Sequence, residues 1–293
     1  MYIILGGTGN VGSSVAESLL EKGEDVTVVS HDSKKVSEWE QKGAKVEVVD
    51  VIDTDKLREV FKTGKRAFLL NPPGDIAKDN VTEEKRTVAS ILNALENSGI
   101  EKVVAESTYG AQKGEGIGDL GVLFELEEGL RKMNIAADII RAAYYMSNWE
   151  MSLESAKKEG VVHTLYPPDF KLPMVSPKDI GRIAARFLAE DSDGVKIHYV
   201  EGPEEYSSAD VAAAFGKALG KSVEAVQTPP EKWLETLKQA GFSDIAAASM
   251  VKMTEITLEA AERPESPVRG ATTIDEYIES LVSKANQNPS AES

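Results

Sequence analysis

Tyr2-Ile3-Ile4-Leu5 runs directly into Gly6-Gly7-Thr8-Gly9-Asn10-Val11-Gly12, and the reading of this passage decides the fold. The short apolar run predicts a buried β-strand. The spacing Gly6-x-x-Gly9-x-x-Gly12 predicts a tight turn that opens a helix. Gly6 permits the sharp exit from the strand, and Gly9 lets backbone N–H groups approach a pyrophosphate with no Cβ in the way. Gly12 is expected to let the following helix pack close to the sheet. The first turn of that helix offers unpaired N–H donors and the positive end of its dipole, both suited to an anion. Thr8, Asn10 and Val11 complete the contact surface. A glycine turn alone carries little weight. One between a strand and a helix, at the head of an α/β pattern, reads as a dinucleotide site.

Outward from this turn, short β-branched runs alternate with helical stretches as far as about residue 142. The runs are Tyr2 to Leu5, Asp25 to Ser30, Lys45 to Val49, Ala67 to Leu70, Lys102 to Glu106 and Ala137 to Arg141. Between them, helical stretches such as Val11 to Lys22, Thr54 to Lys62, Glu83 to Ser98 and Leu123 to Lys132 are predicted, and Gly23, Gly43, Gly64 and Gly99 punctuate helix ends as expected of C-terminal caps. This is the pattern of an α/β, Rossmann-type doubly wound parallel sheet with its ligand crevice at the carboxyl ends of the strands. Beyond it the rhythm changes. Helices are predicted at Met146 to Lys158, Pro177 to Ala189, Ser207 to Leu219, Pro230 to Ala240, Asp244 to Glu262 and Ile274 to Ala285, and strands at Val161 to Leu165 and Ile197 to Val200. The expected organisation is a nucleotide-binding domain over 1–145, a smaller C-terminal α+β lobe over 146–286 that partly interleaves with it, and a polar, frayed tail over 287–293.

Composition narrows the partners. The 293 residues carry a formal net charge of -16, which disfavours phosphate backbones and anionic lipids. No run of about 18 apolar residues predicts a membrane span. Cysteine is absent, so neither disulfides nor thiol catalysis are available. His31, His163 and His198 are too far apart in sequence to suggest a metal site. The expectation is a cytoplasmic protein, monomer or homodimer, that binds a small molecule, with no metal, nucleic acid or membrane.

The second strand ends in Ser30 rather than in the carboxylate that often holds the ribose hydroxyls of NAD. His31, Lys34 and Lys35 follow, and this basic cluster favours the 2′-phosphate of NADP(H). Asp32 argues the other way. It lies about 20 residues past the glycines, where an NAD(H) carboxylate can sit, although it also suits a helix cap near Ser33. NADP(H) is therefore expected, with NAD(H) possible. Further cofactor contacts are expected at the strand ends: Asp50 and Val51 after the third, Asn71, Pro72 and Pro73 after the fourth, and Ser107 after the fifth.

With these residues in view, the chain resembles the NmrA-like family of atypical short-chain dehydrogenases. Within it, the chain looks most like bacterial NADPH quinone reductases and triphenylmethane reductases. The stretches that carry the likeness are Gly6 to Gly12, Asp50-Val51, Ile140-Arg141-Ala142-Ala143-Tyr144-Tyr145-Met146-Ser147-Asn148, Lys178-Asp179-Ile180-Gly181 and Tyr199-Val200-Glu201-Gly202-Pro203-Glu204. The resemblance implies a Rossmann domain, NADP binding and a smaller lobe that shapes a substrate cleft. It also implies a second possibility, because some family members do not catalyse and instead sense dinucleotide while binding a protein partner. The family's lysine four residues before the helix glutamate falls here on Leu123.

The helix after the fifth strand also lacks the Tyr-x-x-x-Lys pair with which typical short-chain dehydrogenases move a proton to or from a carbonyl oxygen. Its absence weakens a sugar-nucleotide or steroid dehydrogenase reading. Hydride transfer to a stacked, electron-poor ring needs mainly orientation and a dry pocket. The first expectation is therefore an NADPH-dependent reductase of a quinone-like or other conjugated aromatic acceptor. The alternative is a non-catalytic NADP(H)-binding redox sensor. Tyr109 and Tyr144 are the candidate catalytic residues. Tyr145, Asn148 and Trp149 are the candidate substrate contacts, although Tyr144, Tyr145 and Trp149 fit core packing equally well. Asp179 reads as a first-turn helix residue placed by the dipole, not an acid catalyst.

Overall fold

Each β-branched run of the first half becomes a strand, because only a sheet buried on both faces by crossover helices can absorb such runs. The computed structural model describes residues 1–259 and 264–287. In chain order the first half is β1 (Tyr2–Ile4), α1 (Asn10–Leu20), β2 (Val26–Ser30), α2 (Val36–Gln41), β3 (Lys45–Val48), α3 (Thr54–Phe61), β4 (Arg66–Leu69), α4 (Asn80–Leu95), β5 (Lys102–Thr108), α5 (Asp119–Arg131) and β6 (Ala136–Ala142). The second half is β7 (Tyr144–Tyr145), α6 (Leu153–Lys158), β8 (Val161–Thr164), β9 (Leu172–Val175), α7 (Pro177–Ala189), β10 (Val195–Glu201), β11 (Glu205–Tyr206), α8 (Ser208–Leu219), β12 (Glu224–Gln227), α9 (Trp233–Gln239), α10 (Asp244–Glu259), β13 (Val268–Arg269) and α11 (Ile274–Gln287).

Among the described residues the main sheet has eight strands in the order β3-β2-β1-β4-β5-β6-β10-β13. All its pairings are parallel. Strand order reverses between β1 and β4, which is where a doubly wound sheet opens its ligand crevice. The sheet takes two strands from the second half of the chain, β10 and β13. The rest of that half forms a three-stranded sheet, β11-β9-β7, and a parallel pair, β12-β8.

Among the described residues three apolar cores result. One lies between the sheet and α1 with α7, and includes Ile4, Val15, Phe68, Val104, Ile140 and Ala184. A second lies on the other face against α3, α4 and α5, and includes Leu5, Leu69, Val103, Ala105, Ile91 and Leu126. The third belongs to the smaller elements and holds Met146, Trp149, Phe215 and Ile278. A Cβ on Gly181 would stand 2.4 Å from the Cβ of Ser14, so that glycine sets how closely α7 approaches α1.

Several expectations change in detail. Gly23, Gly43 and Gly99 do take positive φ after their helices, whereas Gly64 does not; it is held by Ile3, whose side chain lies 2.6 Å from where a Cβ would be. The helix expected at Met146 to Lys158 is a 3-10 segment, Met146–Ser152, leading into α6. That expected at Pro230 to Ala240 begins as a 3-10 turn before α9. The strands β7, β9, β11, β12 and β13 escape sequence reading because they are two to four residues long and exist through distant partners. The expected end of α10 at Glu262 and residues 288–293 of the expected polar tail lie outside the described residues.

Candidate functional site

The glycine turn is built of backbone. Gly6 takes φ +60, which only glycine adopts without strain, and the Gly9 N–H donates back to the Gly6 carbonyl at 2.9 Å. Gly9 is the N-cap of α1 and supplies no capping side chain, so the first amides of the helix remain open to an anion. Gly12, on α1, lies against the chain that leaves β1. A Cβ there would meet the Gly6 carbonyl oxygen at 2.3 Å, so it permits the turn to fold on itself. Gly7 faces the sheet instead, with Val28 at 2.8 Å.

A single cavity of about 1030 Å³ starts at this turn and crosses the carboxyl ends of β1 to β6. It brings together Gly6, Thr8, Gly9, Asn10, Val11, His31, Lys35, Asp50, Val51, Asn71, Pro72, Pro73, Ser107, Tyr109, Tyr144, Tyr145 and Asn148. Gly12, Lys34 and Trp149 do not line it.

Over β2 and β3, the Ser30 hydroxyl lies 3.3 Å from that of Thr8, and the Lys35 ammonium donates to the Thr8 carbonyl at 2.9 Å. Asp32 accepts the Lys34 N–H at 2.9 Å and so caps the 3-10 turn at Ser33–Lys35. The carbonyl of Val51 accepts the Ser90 hydroxyl at 2.6 Å. Over β4, the Asn71 Oδ1 is buried without a partner. Over β5, Ser107 gives its hydroxyl hydrogen to Glu127 at 2.7 Å. Glu127, on α5, also takes two N–H bonds of 2.9 Å from Arg141.

At the far end, Tyr109 donates its phenol to Glu201 at 2.6 Å, and Glu201 is paired with Arg269 at 3.0 Å. The Tyr109 ring lines the cavity while its hydroxyl hydrogen is held outward. Burial, reinforced by the neighbouring Tyr166, pushes the Tyr144 phenol well above its ordinary range. Tyr144 stands edge-on to Tyr166, ring centroids 6.1 Å apart. Trp149 lies behind Tyr144 at 5.8 Å, within the third core.

The roof, which sequence reading did not assign to the site, is α10, with Met250, Met253, Thr254 and Thr257. Ser243 ties its start to the loop after β4 by bonds to the Ile76 and Lys78 carbonyls. Met253 packs on Gly118, the N-cap of α5. The α5 wall presents Asp119, Leu120 and Leu123. Two buried carboxyls were also missed. Burial and then Asp119 raise Glu84 to about 7, and burial alone raises Glu106 to about 8. Glu106 had one legible signal, a lone charge inside the apolar strand run Val103-Val104-Ala105. Asp179, by contrast, is held outside the cavity, accepting the N–H groups of Ala271 and Thr272 at 3.0 and 2.8 Å.

Among the described residues no cluster of His, Asp or Glu could hold a metal ion, and no helix is long and apolar enough to cross a membrane.

The family model for NmrA-like proteins matches residues 2–290. The chain belongs to the NmrA-like family. Its known relatives include an NAD(P)H azoreductase of Xenophilus azovorans, 22% identical over 85% of each chain. Another is the nitrogen metabolite regulation-like protein bik4 of Gibberella fujikuroi, 26% identical over 94% of each. Among solved structures, the NADPH-dependent quinone oxidoreductase of Escherichia coli complexed with NADPH superposes with a TM-score of 0.79. It is 22% identical and covers 96% of this chain and 99% of that one. The Citrobacter triphenylmethane reductase complexed with NADP(H) gives 0.81 at 18% identity, covering 96% and 100%. These likenesses agree with the Rossmann-type sheet read from the sequence.

Proposed function

We propose that this NmrA-like protein binds NADP(H) across the carboxyl edge of its sheet and reduces a quinone-like or other conjugated aromatic acceptor. The observation that carries the proposal is the continuity of the cavity from the glycine turn to a wall of aromatic and thioether side chains. The open amides at the start of α1 suit the pyrophosphate. Lys35 and His31 line the end where a 2′-phosphate would lie, and Asp32, the one carboxylate that argued for NAD, lines it too but gives one oxygen to the Lys34 N–H as a cap. The partnerless Asn71 Oδ1 fits a donor from the coenzyme. When bound, the reduced nicotinamide supplies the hydride. The protein then has to orient a flat acceptor and keep water away. Tyr144, Tyr145 and Tyr166 offer ring faces for the first task, and Leu120, Leu123, Met250 and Met253 perform the second. Leu123 puts an apolar side chain where the family's lysine would be, so the α5 wall is built to exclude water. The relatives that reduce azo compounds, quinones and triphenylmethane dyes support this reading by their names.

NADPH oxidation measured against a panel of quinones, azo dyes and cationic triphenylmethane dyes tests it. Turnover is expected with at least one class. Lys35→Ala is expected to weaken NADPH binding by about fivefold while leaving NADH binding within about twofold, since a single partly screened charge pair contributes roughly 1 kcal/mol. Equal losses for both coenzymes would remove Lys35 from the phosphate site.

A dinucleotide sensor without turnover is the second reading, and the likeness to the regulation-like protein of Gibberella fujikuroi favours it. Tight NADPH binding with no acceptor reduced across the whole panel decides for the sensor.

A further inference from the structure

Glu106 extends from β5 on the face that packs against α1 and α7, the opposite face from Ser107 and Glu127. It is 6% exposed, lines the cavity, and neither carboxyl oxygen has a hydrogen-bond partner. Ile140 of β6 is its register partner, and the other residues of that face are apolar: Phe68 from β4, Leu70 just after it, Val11 and Val15 from α1, and Ile180 and Ala184 from α7. Three polar groups of the surrounding strands and helices are engaged elsewhere. Arg141 turns to the other face and Glu127, Tyr109 donates to Glu201, and Asp179 accepts the backbone beyond Gly270. Across the cavity stand Glu84 and Asp119, which share a hydrogen bond, with His31, Asp32, Lys35 and Asp50 at the adenosine end and Tyr144 and Tyr145 on the opposite wall. A buried carboxyl with no partner is costly and calls for an explanation.

The crevice supplies one. A dinucleotide that runs outward from the glycine turn lays its adenosine over β2 and β3 and its nicotinamide over β4, β5 and β6. The nicotinamide end of the crevice would then include the end of β5, where Glu106 lines the cavity. We propose that Glu106 reads the charge of the nicotinamide ring, keeping its proton beside the neutral reduced ring and releasing it to solvent beside the cationic oxidised ring. The proposal rests on the dinucleotide reading above. Among the described residues no cation is paired with Glu106, and Lys35 and His31 line the far, adenosine end, so in the low-dielectric cavity the ring cation would compensate a Glu106 carboxylate. Burial already keeps the group protonated at neutral pH, since it raises the carboxyl to about 8. Binding of the oxidised form is thereby linked to loss of one proton, and binding of the reduced form is not. Such a linkage serves a reductase, by easing product-state charge, and a sensor, by distinguishing the two redox forms.

The test is calorimetry of NADP⁺ and NADPH binding at pH 7, in two buffers of different ionisation enthalpy. The wild-type protein is expected to release up to about one proton with NADP⁺ and essentially none with NADPH. Below pH 8, its affinity for NADP⁺ relative to NADPH should rise by as much as about tenfold per pH unit, the slope of a one-proton linkage. Glu106→Gln should bind NADPH within about threefold of wild type and show neither the proton release nor the slope. Glu84→Gln, the control for the other carboxyl that titrates near neutrality, should keep both. The proposal is overturned if the wild type releases equal numbers of protons with both forms, if Glu106→Gln retains the difference, or if Glu84→Gln abolishes it. Failure to bind either coenzyme would overturn the dinucleotide reading as well, whereas binding without a proton difference removes only the role of Glu106.

Discussion

The carboxyl end of β5 meets a buried carboxyl on each of its two faces, and the surroundings of the two differ completely. On the α5 face, Glu127 is 1% exposed and receives hydrogen bonds from Ser107, Arg131 and, twice, Arg141. Burial works against the Arg141 charge, but the Glu127 carboxylate more than offsets it and holds the guanidinium above its ordinary range. On the α1 face, Glu106 is also buried, 6% exposed, and receives nothing. The first arrangement braces β5, β6 and α5 into one rigid wall. The second leaves a buried, unpartnered carboxyl on the cavity wall. A saturated network acts as structure, and an unsaturated one stores a demand that only a partner from outside can meet.

The largest effect is expected from breaking the saturated side. Arg141→Met leaves Glu127 buried with its main counter-charge gone. It should lower unfolding free energy by roughly 3–5 kcal/mol in urea titrations, the usual cost of stripping one partner from a buried pair. A loss below about 1 kcal/mol would mean that Arg131 alone holds Glu127.

The unsaturated side should show up as a pH dependence. The folded carboxyl of Glu106 titrates at about 8 against an ordinary value of 4.5. Between those values the folded state binds more protons than the unfolded one, so Glu106 makes stability fall as pH rises through that window. From 4.5 to pH 7 is 2.5 units, or roughly 3 kcal/mol at about 1.4 kcal/mol per unit. Unfolding free energies of wild type and Glu106→Gln measured at pH 5, 7 and 9 should therefore diverge, the variant gaining on the wild type at each step. Parallel curves would show that Glu106 ionises freely in the folded protein. The smallest effect is expected from Ser107→Ala, which removes one of several bonds to Glu127 and should cost about 1.5–2 kcal/mol at any pH between 6 and 9.

How much of this was legible beforehand follows the same division. The glycine turn, the alternation of strands and helices, and the helix caps are local. They are written in the conformational freedom of particular residues, so Gly6, Gly23, Gly43 and Gly99 could be read directly. The strand-end contacts followed from the rule that doubly wound sheets bind ligands at their carboxyl edge, and most of those named do line the cavity. Lys34 was read together with Lys35, and only the turn after Asp32 separates them. Trp149 was read together with Tyr144, and only packing places it behind that ring. The methionines of α10 gave no warning. Their helix reaches the cavity through contacts with the loop after β4 and with Gly118, far away in the chain.

The sequence by itself determined the doubly wound sheet, the place of the crevice and the turn that opens it, because hydrophobic period and glycine spacing act on neighbouring residues. Tertiary structure alone decided which carboxyls are neutralised, which phenols are engaged and which helix roofs the cavity. Those outcomes depend on burial and on partners far apart in the chain, 92 residues for Tyr109 and Glu201 and 165 for Ser243 and Lys78. A charge inside a strand is visible to any reader of the chain; whether it finds a counter-charge is settled only when the layers close.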